Sequence, residues 1–348
     1  MGRRVSPLAT DWRARGRRGA AVSSTERLVT SITGQPWRAN RRLAWRRRAV
    51  RSRPDRPSSL LAMAEVVNTL YLALFSIGLF VLISLGLAII FGLMRVINLA
   101  QGEFIMLGAY VCALSSNQGV PLGLAFLLAA AAVGLFGILV ERLIIRWLYG
   151  RIVDTLLATW GLSLFLVGGI TTLFGPQAES VGAALGNVRV GGVTISLYNL
   201  IVIAIAFAML ALTFALLRFS TFGLLVRGTM QNPEMAGALG VPRERIYMLT
   251  FGLGSALTGL AGAVLVPITG VAPTMGVFFV AKAFITVIAG GPLPLLGTIS
   301  AASLFGAIDG LVSFRFSSVV GEISVLLVAI LLLRLLPLGI TGRLRQGL

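Results

Sequence analysis

Residues 66–91 read VVNTLYLALFSIGLFVLISLGLAIIF and contain no charged side chain. A helix of about 20 apolar residues is long enough to cross a hydrocarbon core of about 30 Å. Comparable runs recur along the chain, which is 57% hydrophobic and 12% charged, with a mean hydropathy of +0.92. Backbone groups in lipid must hydrogen-bond within their own segment, and helices meet that requirement. The sequence therefore predicts an all-α, polytopic membrane protein.

The apolar runs predict about eight transmembrane helices, some of them short or re-entrant. The predicted segments are 66–91, 99–117, 120–140, 154–174, 194–217, 246–268, 276–291, 297–313 and 321–337. The 41 glycines suit such helices, because small residues let membrane helices approach closely. Gly254, Thr258 and Gly262 are four residues apart and predict a packing stripe on one helix.

The net charge of +18 is concentrated before the first apolar run. Residues 1–62 carry 16 arginines and three acidic residues, whereas residues 63–348 have a net charge of +5. We expect residues 1–62 to be an Arg-rich disordered extension, interpreted as coding sequence upstream of a start at Met63, with a membrane-surface or nucleic-acid arm as the alternative. The transport domain is predicted at 63–345, without a nucleic-acid partner.

Arginines in the short loops predict the orientation of the chain in the membrane. Arg142, Arg146 and Arg151 follow the third predicted segment. Arg218, Arg227, Arg243 and Arg245 flank the loop after the fifth, and Arg334, Arg343 and Arg345 close the chain. Since positive loops stay in the cytoplasm, these clusters and Arg95 are expected on that side. The residues before Val66 are then outside, unless an early segment is re-entrant.

Residue types exclude several kinds of chemistry. The chain has no histidine and one cysteine, Cys112, so His-based or multi-Cys metal sites and a histidine general base are excluded. No GxxxxGK[ST] phosphate-binding loop occurs, and the single lysine, Lys282, has no such glycines before it. We therefore predict a non-enzyme that binds neither metal nor cofactor.

A polar segment at 227–247, RGTMQNPEMAGALGVPRERIY, interrupts the apolar pattern. Pro233 can open a helix, Glu234 then lies where the helix dipole favours an anion, and Gly240 followed by Pro242 ends it. The segment predicts a short helix on the cytoplasmic surface. We expect it to contact a partner protein rather than serve as a mere connector.

A second polar segment, NLAQGEF at 98–104, lies between the first two predicted spans. A carboxylate inside a membrane helix costs about 2.5 to 3.5 kcal/mol on insertion scales, so Glu103 should face a polar pathway or a partner. Gly102 would let another backbone come close. The alternative is that Glu103 only lies at the membrane interface.

Two more charged residues fall inside apolar stretches, namely Lys282 and Asp309. Lys282 is expected either to extend to the outer surface or to pair with a buried acid such as Glu103. Asp309 is expected to be structural. Together with Glu103, these residues also allow an ion-coupled secondary transporter.

Four stretches of the chain resemble the inner-membrane permease subunits of ABC importers in the branched-chain amino acid family, which includes permeases for urea and short amides. They are GLMRVINLAQGEFIMLGAY at 92–110, DTLLATWGLSL at 154–164, NPEMAGALGV at 232–241 and KAFITVIAGG at 282–291. The resemblance covers residues 63–345.

The resemblance implies a multi-pass protein of the bacterial inner membrane that pairs with a second, homologous permease. It implies two separate ATP-binding subunits and an extracytoplasmic solute-binding protein as further partners. In that family the polar loop resembles the segment that docks on the ATPase, which implies this role for residues of the loop: Arg227, Asn232, Glu234, Ala236 and Gly240. The translocation pathway is predicted to include Asn98, Gln101, Gly102 and Glu103.

The chain also departs from the family's pattern. Gln101 stands where the family commonly has histidine, so a titrating group is replaced by a neutral hydrogen-bonding amide. DTLLATWG is more similar to the urea type, and AKAF to the amino acid type. Branched-chain amino acids are the predicted substrate, with urea or short amides as the alternative.

Overall fold

The computed structural model describes residues 58–177, 186–190 and 193–342. The predicted extension up to residue 57, residues 178–185 and 191–192, Arg343 and Arg345 lie outside the described residues. The first helix begins at Ser58, so the last five residues assigned to the extension are helical.

Eleven α-helices and one short hairpin make up the described part of the chain. They are α1 (Ser58–Met94), α2 (Gln101–Asn117), α3 (Leu122–Leu143), α4 (Ile152–Phe174), β1 (Asn187–Val190), β2 (Val193–Ser196), α5 (Leu197–Phe219), α6 (Thr221–Gln231), α7 (Pro233–Ala238), α8 (Arg243–Thr269), α9 (Met275–Gly290), α10 (Pro294–Arg315) and α11 (Ser318–Leu335), with a 3-10 helix at Ile145–Leu148.

Within the described ranges, seven of these helices are long and apolar enough to cross a membrane, and α9 is a shorter apolar helix. The all-α polytopic fold predicted from the apolar runs is confirmed. Two differences concern the edges of the predicted segments. Residues 194–196 belong to strand β2, which pairs antiparallel with β1, and helix α6 occupies a stretch for which no helix was predicted.

Helices α1 and α8 form the centre of the bundle and run antiparallel. The Gly86 backbone lies against Thr258, and Ile90 lies against Gly254. Further along α8, Gly262 faces the backbone of Ile105 in α2. The predicted small-residue stripe is therefore a packing surface, because each of its members contacts a neighbouring helix at short range.

Helix α2 starts inside the bundle instead of at its end. The Gln101 side chain donates a hydrogen bond to Thr258, fifteen residues after the start of α8, which is about 22 Å along that helix. Residues 95–100 therefore lead back from the end of α1 to mid-depth without helical structure. Arg95 marks the reversal with a φ of 55°, a left-handed conformation that is uncommon for a residue with a side chain. The expectation of short or re-entrant segments is met here.

The arginine-bearing loops gather at one end of the bundle. Arg146, after α3, pairs with Glu244 in the first turn of α8. Gly92, near the end of α1, lies against Pro294 at the start of α10. A small cavity joins these parts, because Leu93, Arg218, Arg227 and Pro294 all line it. This end is the one that the loop arginines predict to be cytoplasmic.

Helix α4 packs against the remainder of the bundle through a narrow stripe. Its buried residues are Thr155, Thr159, Leu166 and Ile170. Its other faces expose large apolar side chains, among them Trp160 and Phe165. In a membrane protein such faces are covered by lipid or by another membrane helix.

Candidate functional site

The surface helix α7 begins as the sequence predicts. The Asn232 side chain caps it, with the Met235 backbone N–H donating to Asn232 Oδ1 at 2.9 Å. Pro233 occupies the first turn, where its missing N–H costs no helical hydrogen bond, and Glu234 lies in the same turn. A negative charge there is favoured by the helix dipole.

The end of α7 is a Schellman motif. The Val241 N–H donates to the Ala236 carbonyl at 3.0 Å, and the Gly240 N–H donates to the Gly237 carbonyl at 3.0 Å. Gly240 has a φ of +84°, a left-handed conformation that glycine adopts without steric cost. The predicted termination at Gly240 is confirmed, and the short helix is closed at both ends by its own residues.

The two faces of α7 differ sharply. Ala236 is only 7% exposed and packs inward, whereas Met235 and Leu239 are 58% and 78% exposed. Met235 and Leu239 are four residues apart, so they lie next to each other on the outer face. An apolar pair at the polar end of a membrane protein is typical of a surface that contacts another protein.

The start of α8 connects this surface to the bundle. Glu244 forms an ion pair with Arg146, and the Tyr247 ring packs against the Tyr149 ring at a tilt of 42°, with ring centroids 4.8 Å apart. The Tyr149 hydroxyl donates to Glu141 at 2.6 Å. Burial raises the pKa of Tyr149, so its hydroxyl stays protonated and keeps this bond. The segment after α7 is thus joined to the loop between α3 and α4.

Arg227 lies apart from the other predicted docking residues. It belongs to α6 rather than to α7, and it lines a cavity of about 190 Å³ together with Leu93, Arg218 and Pro294. Asn232, Glu234, Ala236 and Gly240 all lie on or next to α7. The structure therefore groups four of the five predicted docking residues and places the fifth beside the ends of α1, α5 and α10.

The second predicted group, at the start of α2, is buried. Asn98 and Gln101 have no exposed surface, and Glu103 is 3% exposed. The Asn98 amide donates to Gln101 Oε1 at 3.2 Å, and the Gln101 amide donates to Thr258. The Gln101 amide thus accepts a hydrogen bond through its oxygen and donates one through its nitrogen.

Asn98 and Thr159 accept hydrogen bonds from the irregular backbone at mid-depth. Asn98 Oδ1 accepts from the Ala100 N–H at 3.1 Å, and Thr159 Oγ1 accepts from the Leu99 N–H at 3.1 Å. Irregular backbone at this depth persists only where the protein itself supplies hydrogen-bond partners. These polar side chains therefore hold the re-entrant turn.

Gly102 and Glu103 complete this group. A Cβ atom at Gly102 would collide with the backbone of Gly276 in α9, so the predicted close approach of another backbone is confirmed. Glu103 Oε2 is buried and has no hydrogen-bond partner among the described residues, while Ser163 of α4 bonds to the same carboxyl group.

Lys282 pairs with an acid that was not predicted. Its Nζ lies 2.6 Å from Oε1 of Glu322 in α11, so the alternative that it pairs with Glu103 was wrong. The reason is that α9 and α11 flank a common cleft, which side-chain spacing in one sequence does not reveal. Asp309 of α10 lies beside the same pair and hydrogen-bonds with Ser76 and Ser313.

Comparison with known proteins assigns the chain to a family. Residues 69–336 match the family model described as branched-chain amino acid transport system / permease component. The chain belongs to this family. A permease component works with other components of its transport system, and the permease is a multi-pass protein of the cell membrane, as the apolar helices also show.

Three curated proteins illustrate the similarity of the permease to known members. The high-affinity branched-chain amino acid transport system permease protein LivH of Salmonella typhimurium is 26% identical over 282 residues, covering 76% of this chain and 91% of that protein. LivH of Escherichia coli is 28% identical, with the same coverage. BraD of Pseudomonas aeruginosa is 29% identical over 289 residues, covering 76% of this chain and 92% of BraD. No solved structure matches the permease.

Two residues of functional interest were missed from the sequence. Met235 was not chosen, although its spacing from Leu239 could have indicated an exposed apolar pair. Glu322 was also passed over, because an acid one residue after the start of a predicted span resembles an ordinary interface residue. Only its position opposite Lys282 distinguishes it.

Proposed function

We propose that the permease is one membrane-spanning half of an ATP-driven importer of branched-chain amino acids. It pairs with a second, homologous permease, and two ATP-binding subunits dock at the cytoplasmic end. An extracytoplasmic solute-binding protein delivers the substrate. The chain itself carries no catalytic step and uses no cofactor. LivH and BraD are named as branched-chain amino acid permeases, which favours this substrate over urea or short amides.

The observation that carries the proposal is the exposed apolar pair on α7. Met235 and Leu239 project from a helix whose polar groups are capped at both ends, so the pair is not needed to complete the fold of the helix. Methionine adapts its shape readily to a partner's surface. We assign Asn232, Glu234, Ala236 and Gly240 to shaping this docking helix, and Arg227 to the cavity beside it.

The connection from α7 to the bundle supports force transmission. Helix α8 starts at Arg243, five residues after α7 ends at Ala238, and runs through the centre of the bundle. The Arg146–Glu244 pair joins its first turn to the loop after α3. A displacement of α7 by an ATP-binding subunit would therefore move α8 and α3 together.

The pathway role of Asn98, Gln101, Gly102 and Glu103 is part of the same proposal. These residues are buried in the present conformation, so substrate would meet them only after α2 and α4 separate. The narrow contact stripe of α4 and the unpartnered Glu103 Oε2 support such a separation. A buried carboxyl oxygen without a partner is costly and is typical of functional sites.

The test replaces the exposed face of α7 while preserving its caps. In the complete complex, reconstituted in vesicles, Leu239→Asp combined with Met235→Asp should reduce ATPase activity stimulated by the binding protein, and leucine uptake, by at least tenfold. The unfolding free energy of the permease should change by less than about 0.5 kcal/mol, because neither side chain is buried. A matched control, Leu173→Asn, changes a side chain that is 76% exposed at the other end of the bundle.

The result would count against the proposal if the double variant transported normally. Uptake by the permease alone, driven by an ion gradient without any ATPase, would instead establish a secondary transporter. Equal losses in the α7 variant and in the Leu173→Asn control would show that the assay reports general damage rather than docking.

A further inference from the structure

A cleft between α9 and α11 opens on the surface of the bundle. Its floor includes Phe80 of α1 and Asp309 of α10, and its volume is about 370 Å³. Most of its wall is apolar: Val277, Phe278, Ala281, Ile285, Ile323, Val325 and Leu326. Ligand sites of small molecules usually have volumes of about 300 to 1,000 Å³ and apolar walls with a few polar groups.

Three charged side chains converge in this cleft. Lys282 Nζ and Glu322 Oε1 are 2.6 Å apart, and their side chains are 33% and 54% exposed. Asp309 lies next to them, with Ser76 and Ser313 hydrogen-bonded to its carboxylate. Gly321 lets α11 approach Asp309, since a Cβ atom there would meet Ser313 and Asp309.

The charges lie toward the outer end of the bundle. Helix α10 rises from the end that carries the loop arginines and finishes at Arg315, six residues after Asp309. Helix α11 starts at Ser318, four residues before Glu322. This is the end at which an extracytoplasmic protein would release its substrate.

Exposed charges are expensive on a lipid-facing helix surface. Ionisable groups in membrane helices usually face a bundle interior or a water-filled cavity. In a permease that forms half of a pathway, the residues lining that pathway lie on the surface of the isolated subunit. The partly exposed Lys282–Glu322 pair therefore marks the cleft as a part of the surface that faces water.

We propose that this cleft binds a zwitterionic amino acid with a branched aliphatic side chain. The substrate ammonium group bonds to Glu322 and Asp309, and its carboxylate bonds to Lys282. The aliphatic side chain contacts Phe278, Ile323 and Leu326. This inference rests on the proposed function and names the substrate-binding residues within it.

Pairing of opposite charges, rather than net charge, selects the zwitterion over other ligands, because Lys282 is the single basic group that the described residues place beside Glu322 and Asp309 in the cleft. A zwitterion that enters between Lys282 and Glu322 gives each of them a new partner of opposite charge. A ligand with only an ammonium or only a carboxylate group would leave one side chain unpaired. Urea and short amides carry no charge and cannot replace the ion pair.

The binding test uses a single introduced thiol. The only native cysteine, Cys112, is buried, so Ile323→Cys provides the reactive thiol in the cleft. In the assembled complex without the binding protein, a small charged thiosulfonate reagent should label Ile323→Cys, and L-leucine should slow labelling at least fivefold. Leucine amide, which lacks the carboxylate, and 4-methylpentanoate, which lacks the amine, should not. The control Phe316→Cys, at an exposed position between α10 and α11, should be labelled equally with and without leucine.

Charge variants test the same site through transport. Lys282→Met and Glu322→Gln should each lower leucine uptake at least tenfold while the complex still assembles. The exchanged pair, Lys282→Glu with Glu322→Lys, should also assemble but should not restore uptake, because it places the cation and the anion on the wrong sides of the substrate. Arg151→Met is the matched control, since it breaks a pair with Asp154 at 3.0 Å on the cytoplasmic end of α4.

The outcomes separate this inference from the proposed function. If wild type transports leucine and its ATPase is stimulated, while the cleft variants also transport normally, only the cleft inference is overturned. The same holds if Ile323→Cys is unreactive, or if the variants fail because the two permeases no longer assemble, which would make the cleft a subunit interface. If the exchanged pair restores uptake, the pair is structural. Failure of wild type to associate with an ATPase would overturn the proposed function itself.

Discussion

The re-entrant turn at Asn98–Glu103 and the surface helix α7 both interrupt an apolar chain with polar residues, but they use those residues in opposite ways. In the turn, Asn98 and Gln101 are fully buried and bond to each other, to the backbone and to Thr258. In α7, polar groups close only the helix ends, and two large apolar side chains face outward.

This difference shows that the turn depends on paired polar groups for its stability, whereas the outer face of α7 does not. A buried polar group must be paired within the fold, and removing its partner leaves a costly orphan. An exposed face is free of that constraint and can be shaped for a partner. Variants in the turn should therefore mainly lower the unfolding free energy, whereas variants in α7 should mainly lower transport.

The largest effect on stability is expected from Gly102→Val. The added Cβ atom collides with the Gly276 backbone, which has no flexible side chain to move aside, so the unfolding free energy should fall by about 3 kcal/mol. Denaturant titration of the purified permease in detergent measures this change. The control Gly161→Val adds atoms where nothing lies within 4 Å and should leave stability nearly unchanged. Equal stability of the two variants would contradict the tight contact between α2 and α9.

A smaller loss is expected from Gln101→Leu. The substitution removes the amide that joins Asn98 to Thr258, and the unfolding free energy should fall by about 1 to 3 kcal/mol. The double variant Gln101→Leu with Thr258→Val should recover part of the loss, because the buried hydroxyl is removed with its partner. A single variant as stable as wild type would show that the network does not hold the turn.

The smallest effect on global stability is expected from Asn232→Ala. It removes the cap of α7, which costs about 1 kcal/mol of local helix stability. Hydrogen exchange at the Met235 amide should accelerate severalfold and leucine uptake should decrease, while global unfolding changes little. Asn232→Asp retains an accepting oxygen and serves as control. Unchanged hydrogen exchange at the Met235 amide would show that the Asn232 cap does not stabilise α7.

Much of the fold could be predicted from the apolar pattern alone. The spans, the capped helix from Pro233 and its end at Gly240 follow from local chemistry, and the structure contains them. Helix α6 was missed because its eleven residues mix apolar and polar side chains, so it lacks the long apolar run of a span. The pairing of Lys282 with Glu322 was missed because the two residues are 40 positions apart and no local pattern links them.

The sequence by itself determined the class of the protein, the end that carries the loop arginines and the existence of a surface helix, because these depend on hydropathy, charge and capping within short segments. Only the tertiary structure decided that Asn98 and Gln101 are buried, that α2 starts at mid-depth and that Lys282, Asp309 and Glu322 meet in one cleft. The physical reason is that burial and charge pairing depend on which helices become neighbours. That choice is made by close backbone contacts such as Gly102 with Gly276, which involve residues far apart in the chain.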